Sequence, residues 1–297
     1  MQKFLTIMRQ MFGAIKRFLA PVEHFIGPYW LAFWHWLRRI WRRYLLTRWL
    51  ILILLTLFLF VSAYLTFLAK TADVEHLKAN LQATTTVYDH KKQKAGSLYA
   101  QKGTYISFDK ISPQIQNAVI STEDRSFWSN PGFSIKGTAR AAVSYIIHRG
   151  QINGGGSTIT QQLAKNALLT QQQTFRRKAE ELFLAIEINK VYTKKDIMTM
   201  YLNNAYFGNG VWGVQDASEK YFGKNASELD AAEAASIAAM LRSPSFYNPI
   251  EHPKNNLSRR NLILGLMTDN QKLTSSQETT AKQKPLNLQD NYTQSNG

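Results

Sequence analysis

Residues 121–128 read Ser121-Thr-Glu123-Asp124-Arg125-Ser-Phe127-Trp128, and residues 154–162 read Gly154-Gly155-Gly156-Ser157-Thr158-Ile-Thr-Gln161-Gln162. Arg176-Arg177-Lys178-Ala-Glu180-Glu181 closes the stretch, so acids bracket a glycine run and a cationic segment. Thr158-Ile-Thr-Gln161 fits a capping box, in which the Thr hydroxyl and the Gln amide satisfy free amides at a helix start. A helix N-terminus directly after glycines, where backbone approaches a ligand closely, suits a phosphate. No Gly-Lys-Ser/Thr follows, so no nucleotide P-loop is read. Upstream, Ser112-Pro113 pairs an N-cap with proline at the first helical position. Ile115, Ala118, Val119 and Thr122 then share a face, which puts Glu123 and Asp124 at a helix C-terminus. The macrodipole there disfavours negative charge, and Phe127 and Trp128 add desolvation. A carboxylate so placed is a better proton acceptor, as a general base must be. Taken alone, an exposed acidic pair bridged to Arg125 and a flexible glycine linker account for the same residues.

Around this stretch the pattern is almost wholly helical from residue 112 to about 268. Helices are expected over Ser134–His148, Thr158–Leu169, Phe175–Val191, Lys194–Tyr206, Val211–Phe222, the alanine-rich Asp230–Leu241 and Asn255–Met267. On the third of these, Arg177 and Lys178 stand one turn before Glu181 on a flank, while Phe175, Ala179, Leu182 and Ile186 face the core. An ordinary helical ion pair explains that spacing equally well. Thr84–Asp89 and Leu98–Ala100 read as two short strands across a turn. Residues 84–268 form one domain. Residues 70–83 read as a polar stalk, and 269–297, with little apolar content, as a disordered tail.

Trp49 to Ala69 carries no charge over 21 residues, enough at about 1.5 Å per residue to cross a hydrocarbon core of about 30 Å. It is too long and too late in the chain for a cleaved signal peptide, so a retained anchor is expected. The net charge is +16, and residues 1–48 hold nine Lys/Arg against one acid, Glu23. The positive-inside rule then places the N-terminus in the cytoplasm and everything after the span outside. Residues 1–20 read as an amphipathic helix on the membrane surface. Residues 29–48 interleave Trp30, Trp34, Trp36 and Trp41 with Arg38, Arg39, Arg42 and Arg43, which suits anionic lipid headgroups. The same mixture could stack on nucleic acid, but its place before a membrane span excludes that partner. The chain has no cysteine, so disulfides and thiolate metal sites are excluded.

Taken in order, Glu-Asp-Arg-x-Phe, Gly-Gly-Ser-Thr-Ile-Thr-Gln-Gln-x-x-Lys-Asn, Arg-Lys-x-x-Glu, the segment from Lys194 or Lys195 to Tyr201-Leu-Asn203, and Pro244-Ser-x-Tyr-Asn-Pro249 resemble the peptidoglycan glycosyltransferase family. That family comprises the polymerising domains of class A penicillin-binding proteins and their monofunctional relatives. The resemblance covers about residues 84–268. It implies a mainly α fold, a lysozyme-like helical domain with a small membrane-associated jaw, preceded by one transmembrane helix of a single-pass bacterial membrane protein. It implies lipid II and the growing glycan strand as substrates, inversion at C1 and release of undecaprenyl pyrophosphate. Glu123 is implied as the general base and Glu181 as the second catalytic carboxylate. Asp124, Phe127, Ser157, Thr158, Gln161, Gln162, Lys165, Asn166, Arg177, Lys178 and Asn203 are implied to bind substrate. The resemblance admits a divalent cation, Mg or Mn, at the pyrophosphate beside Glu181, and other cell-wall synthesis proteins as partners. Three positions depart from the family pattern: Asn130 where His is usual, Gln173 where Arg is usual, and Glu180 where some relatives carry Lys. Ser107-Phe-Asp-Lys110 matches one transpeptidase motif without its companions and is read as chance, so a monofunctional enzyme is expected. Asn130 and Gln173 keep open a weakly active or non-catalytic scaffold of the wall-building machinery, and the lysozyme-like fold, which also cleaves glycans with a Glu, keeps open a glycan hydrolase.

Overall fold

The computed structural model describes residues 29–82, 84–88, 94–99, 103–140, 156–169 and 175–289. The expected helix over residues 1–20, most of Ser134–His148, Gly154, Gly155 and Gln173 lie outside them. The chain divides into two units, Met1–Tyr64 and Leu65–Gly297.

In the first unit, α1 runs over residues 29–43 with Trp30, Phe33, Trp34, Trp36 and Trp41 exposed. Helix α2, Leu46–Thr71, is the one described helix long and apolar enough to cross a membrane. Its leucines, isoleucines and phenylalanines from Leu50 to Phe60 face outward, as lipid-facing side chains must.

The second unit is mainly helical. Helix α3, Leu77–Gln82, is followed by the antiparallel strands β1, Thr84–Tyr88, and β2, Lys94–Tyr99, with a bulge between Val87 and Tyr88. The stalk expectation needs correcting, because residues 74–78 dock on the domain. Val74 and Leu77 are buried. The Tyr192 hydroxyl donates to the Val74 and Glu75 carbonyls, and Lys78 Nζ meets Asp196 Oδ1 at 2.5 Å. A polar-looking segment hid two apolar anchors.

Helix α4, Pro113–Glu123, starts where expected, with the Ser112 hydroxyl accepting from Gln114 N and donating to Leu229 O. A fifth helix begins at residue 135 and is described to residue 140. Then follow α6, Ile159–Leu168, α7, Phe175–Val191, α8, Lys194–Asn204, α9, Val214–Phe222, α10, Ala231–Met240, and α11, Pro253–Asp269. Helix α10 is buried nearly all round and packs on α4 and α11. Its alanines let neighbours approach closely while retaining the best helix propensity. Helix α6 packs on α7 and α8. The candidate site stands on four helices, α4, α6, α7 and α8.

On α7 the buried face is Glu181, Leu184, Ala185 and Ile188, whereas Leu182 and Ile186 are only half-buried. The expected core face was turned by about a third of a turn, because an apolar-only pattern assigns no core position to a carboxylate. The disordered tail is also corrected as far as residue 289. Ser275–Gln283 forms α12 with a Thr274–Gln277 capping box. The following segment crosses back, Gln289 N donating to Tyr221 O and Lys284 Nζ meeting Asp230 Oδ2 at 2.7 Å. Buried Arg260 holds it there, donating to the Lys284 and Lys282 carbonyls at 2.7 and 2.8 Å. Backbone carbonyls captured by a distant guanidinium leave no trace in composition.

Candidate functional site

Glu123 is the last residue of α4 and half-buried. Its Oε2 accepts from Gln162 Nε2 at 2.8 Å, and Gln162 Oε1 accepts from the Tyr201 hydroxyl at 3.0 Å. Burial pushes the Tyr201 phenol well above its ordinary range, and the Glu123 charge adds to the push. Tyr201 is thus a neutral donor.

Asp124, next in the chain, is buried and fully engaged. It accepts from Asn130 Nδ2 through both oxygens at 2.9 Å, from Ser126 Oγ at 3.2 Å and from Ile159 N at 3.3 Å. It thereby ties the end of α4 to the first turn of α6, where an anion meets the positive end of the helix dipole. Asn130 completes the knot, its Oδ1 accepting from Gly132 N and from Lys194 Nζ, each at 3.0 Å. The Lys194 ammonium stands 4.9 Å from the centre of the Phe127 ring. Burial lowers the Lys194 pKa, and the Asp124 charge opposes that. The residue that departs from the family pattern is therefore a working part. Asn130→Ala should cost about 2–3 kcal/mol, the penalty for leaving buried polar partners unpaired. Chemical denaturation measures it, and a cost under about 0.5 kcal/mol would mean the knot relaxes without its centre.

The start of α6 follows the sequence closely. The Thr158 hydroxyl accepts from Gln161 N at 3.1 Å, and Gln161 Oε1 accepts from Thr158 N at 2.9 Å. The hydroxyl also donates to Gly132 O at 2.6 Å. Gly156, the described end of the glycine run, meets Gly137 backbone to backbone. A Cβ on Gly137 would stand 2.6 Å from Gly156 O, so this glycine serves a chain crossing.

The second carboxylate is the most enclosed. Glu181 is 1% exposed. Its Oε2 meets Lys178 Nζ at 2.6 Å and its Oε1 lies 3.2 Å from Arg177 Nε. Lys178 Nζ also donates to Ser157 Oγ at 2.5 Å. Lys165, one helix away, has its pKa lowered by burial first. Glu181 then props it up, Lys178 and Arg177 lower it, and Glu123 raises it. One half-buried ammonium thus feels both carboxylates. Among the described residues no three His, Asp or Glu side chains group as metal ligands. A lone carboxylate flanked by Arg177 and Lys178 does not fit a divalent cation, which wants several oxygen ligands.

The structure thus brings together Glu123, Gln162, Ser157, Lys165, Arg177, Lys178 and Glu181. Five of the residues expected to bind substrate have their side chains engaged inside the protein. Asp124, Thr158 and Gln161 have their side chains bound within the α4–α6 junction. Phe127 is fully buried beneath Lys194. Asn203 is fully buried and pins the loop before α4, exchanging two bonds of 2.9 Å with the Ile106 backbone. Asn166 is exposed at the far end of α6. Two residues were missed. Tyr201 lay inside the motif, about half a turn from Asn203, but a tyrosine at helical spacing reads as core. Arg259 of α11 is near enough to be attracted by Glu123, although burial and Arg242 lower its pKa first. Nothing local separates it from Arg260.

The domain is mainly helical and sets two carboxylates around a cationic cluster. The chain belongs to the transglycosylase family, whose description matches residues 90–268, and the resemblance read from the five motifs is borne out. It is 47% identical over 253 residues to penicillin-binding protein 2a of Streptococcus pneumoniae, covering 85% of this chain and 34% of that one. Penicillin-binding protein 1A of Aquifex aeolicus is 46% identical over 203 residues, 68% of this chain and 28% of that one. Penicillin-binding protein 1F of Bacillus subtilis is 38% identical over 241 residues, 80% and 34% respectively. The chain spans about a third of the length of these relatives.

Proposed function

We propose that this protein is a peptidoglycan glycosyltransferase that polymerises lipid II at the outer face of a bacterial membrane, anchored by α2 with its N-terminus in the cytoplasm. The observation that carries the reading is that α6 and the residue before its cap join the two carboxylates, Gln162 holding Glu123 at 2.8 Å and Ser157 accepting from Lys178 of the Glu181–Arg177–Lys178 cluster at 2.5 Å. In this reading Glu123 is the base and the cluster is the anion seat for one substrate pair.

Glu123 takes the proton of the acceptor's 4-hydroxyl as that oxygen attacks C1 of the growing strand's terminal sugar. The C1–oxygen bond to pyrophosphate breaks, and its electron pair leaves with the undecaprenyl pyrophosphate. Attack from the opposite face turns an α-linked donor into a β-1,4-linked product. Lys165, Arg177 and Lys178 hold the diphosphate and meet the charge that grows on it, which is electrostatic stabilisation of a leaving group. Glu181 keeps the three cations together before substrate arrives. No step requires a metal. The residues around α1 engage anionic lipid headgroups, as arginines interleaved with tryptophans do.

The test is the full chain in detergent with lipid II. Glycan polymer and undecaprenyl pyrophosphate should form together. Absence of polymer across pH and divalent-cation conditions would leave a non-catalytic scaffold, and release of fragments from mature wall would make it a hydrolase.

A further inference from the structure

Among the described residues, the carboxylate of Glu123 is held by Gln162, and Gln162 is held by Tyr201. The geometry points to Tyr201 as a positioning residue for the base. Its hydroxyl decides which end of the Gln162 amide faces Glu123, pinning Oε2 and presenting Oε1 to the acceptor hydroxyl. This rests on the reading of Glu123 as base.

The chemistry is directional. A carboxylate only accepts, so it needs the amide nitrogen towards it. A free amide can rotate by half a turn and set its oxygen against the carboxylate. A phenol that stays protonated prevents this, because it donates to the amide oxygen and holds that end away. Tyr201 is suited to the task. It is 3% exposed, on the α8 face that carries Ile197, Met198 and Leu202, all fully buried. The cations that Glu123 attracts, Lys165 from α6 and Arg259 from α11, draw the carboxylate without setting its rotation. Orientation matters because a general base must lie within hydrogen-bond reach of the proton it takes.

The experiment compares Tyr201→Phe, Gln162→Ala and the double variant with the wild-type chain in lipid II polymerisation. Tyr201→Phe keeps the ring and removes one hydrogen bond, so kcat should fall about tenfold with KM for lipid II changed less than about twofold. The double variant should be no slower than Gln162→Ala, because the two residues act in series. A wild-type kcat in Tyr201→Phe, a loss confined to KM, or losses that multiply in the double variant would overturn the inference. If Tyr201→Phe does not fold, Gln162→Met breaks the same link from its other end and carries the same expected split between kcat and KM. Glu123→Gln separates the two readings. An active Glu123→Gln removes the base reading and this inference with it, whereas an inactive Glu123→Gln beside a wild-type Tyr201→Phe removes this inference alone.

Discussion

Glu123→Gln is expected to lower the polymerisation rate by about a thousandfold, within the range that a positioned general base supplies, with the thermal midpoint nearly unchanged. The fold should survive because Glu123 is half-buried at the end of α4 and the Gln162 amide is its hydrogen-bond partner. Glutamine has the same length and its carbonyl oxygen can accept the same bond. What it lacks is the capacity to take a proton at neutral pH. Binding of a lipid II analogue should persist, since the cations proposed to hold the diphosphate are untouched. Polymer formed by the variant at a rate near wild type, with circular dichroism unchanged, would strip Glu123 of its role and return the site to an unassigned acid.

Glu181→Gln is expected to act first on stability and then on the pH range of activity. Glu181 is 1% exposed and faces Arg177 and Lys178. Removing one partner of a buried ionic group leaves the others uncompensated, at a cost of about 3 kcal/mol or more. Urea denaturation at neutral pH should show it. The second effect runs through Lys165. Burial already holds its pKa below the ordinary lysine range, and Glu181 is the largest influence acting against that. Without Glu181 the pKa falls further, so the ammonium proposed to hold the diphosphate is lost at lower pH. The alkaline limb of the activity profile should therefore move towards neutrality. The linkage has a matching sign. A lysine whose pKa is depressed by folding costs stability below its folded pKa, and the cost fades as pH rises through that value. In the variant the cost should persist to a lower pH than in wild type and then fade. An unchanged alkaline limb would mean that Lys165 is supported by something other than Glu181.

Much of the fold was legible because its signals are local. The Ser112-Pro113 start and the Thr158–Gln161 capping box formed as read, since a cap satisfies amides within its own four residues. Helix α7 kept its expected bounds, and α2 lengthened by a few residues at each end of an apolar run with no competing pattern. The clasp after α12 was not legible, because Arg260 binds carbonyls more than twenty residues away and any sequence offers carbonyls.

By itself the sequence determined the helix long and apolar enough to cross a membrane, the helical domain, and the carboxylates and cations expected to share one site. Charge, apolar runs, caps and motif order carry that information within a few residues of each other. Only the tertiary structure decided what each polar side chain does. Glu123 and Asp124 are neighbours in the chain with the same chemistry, yet one faces the site and the other is enclosed in the α4–α6 junction. Gln161 caps a helix while Gln162 holds the Glu123 carboxylate. Asn203 pins a loop while Tyr201, half a turn away, reaches Gln162. A polar group's role is set by the partner it meets when it leaves water, and those partners come from helices distant in sequence.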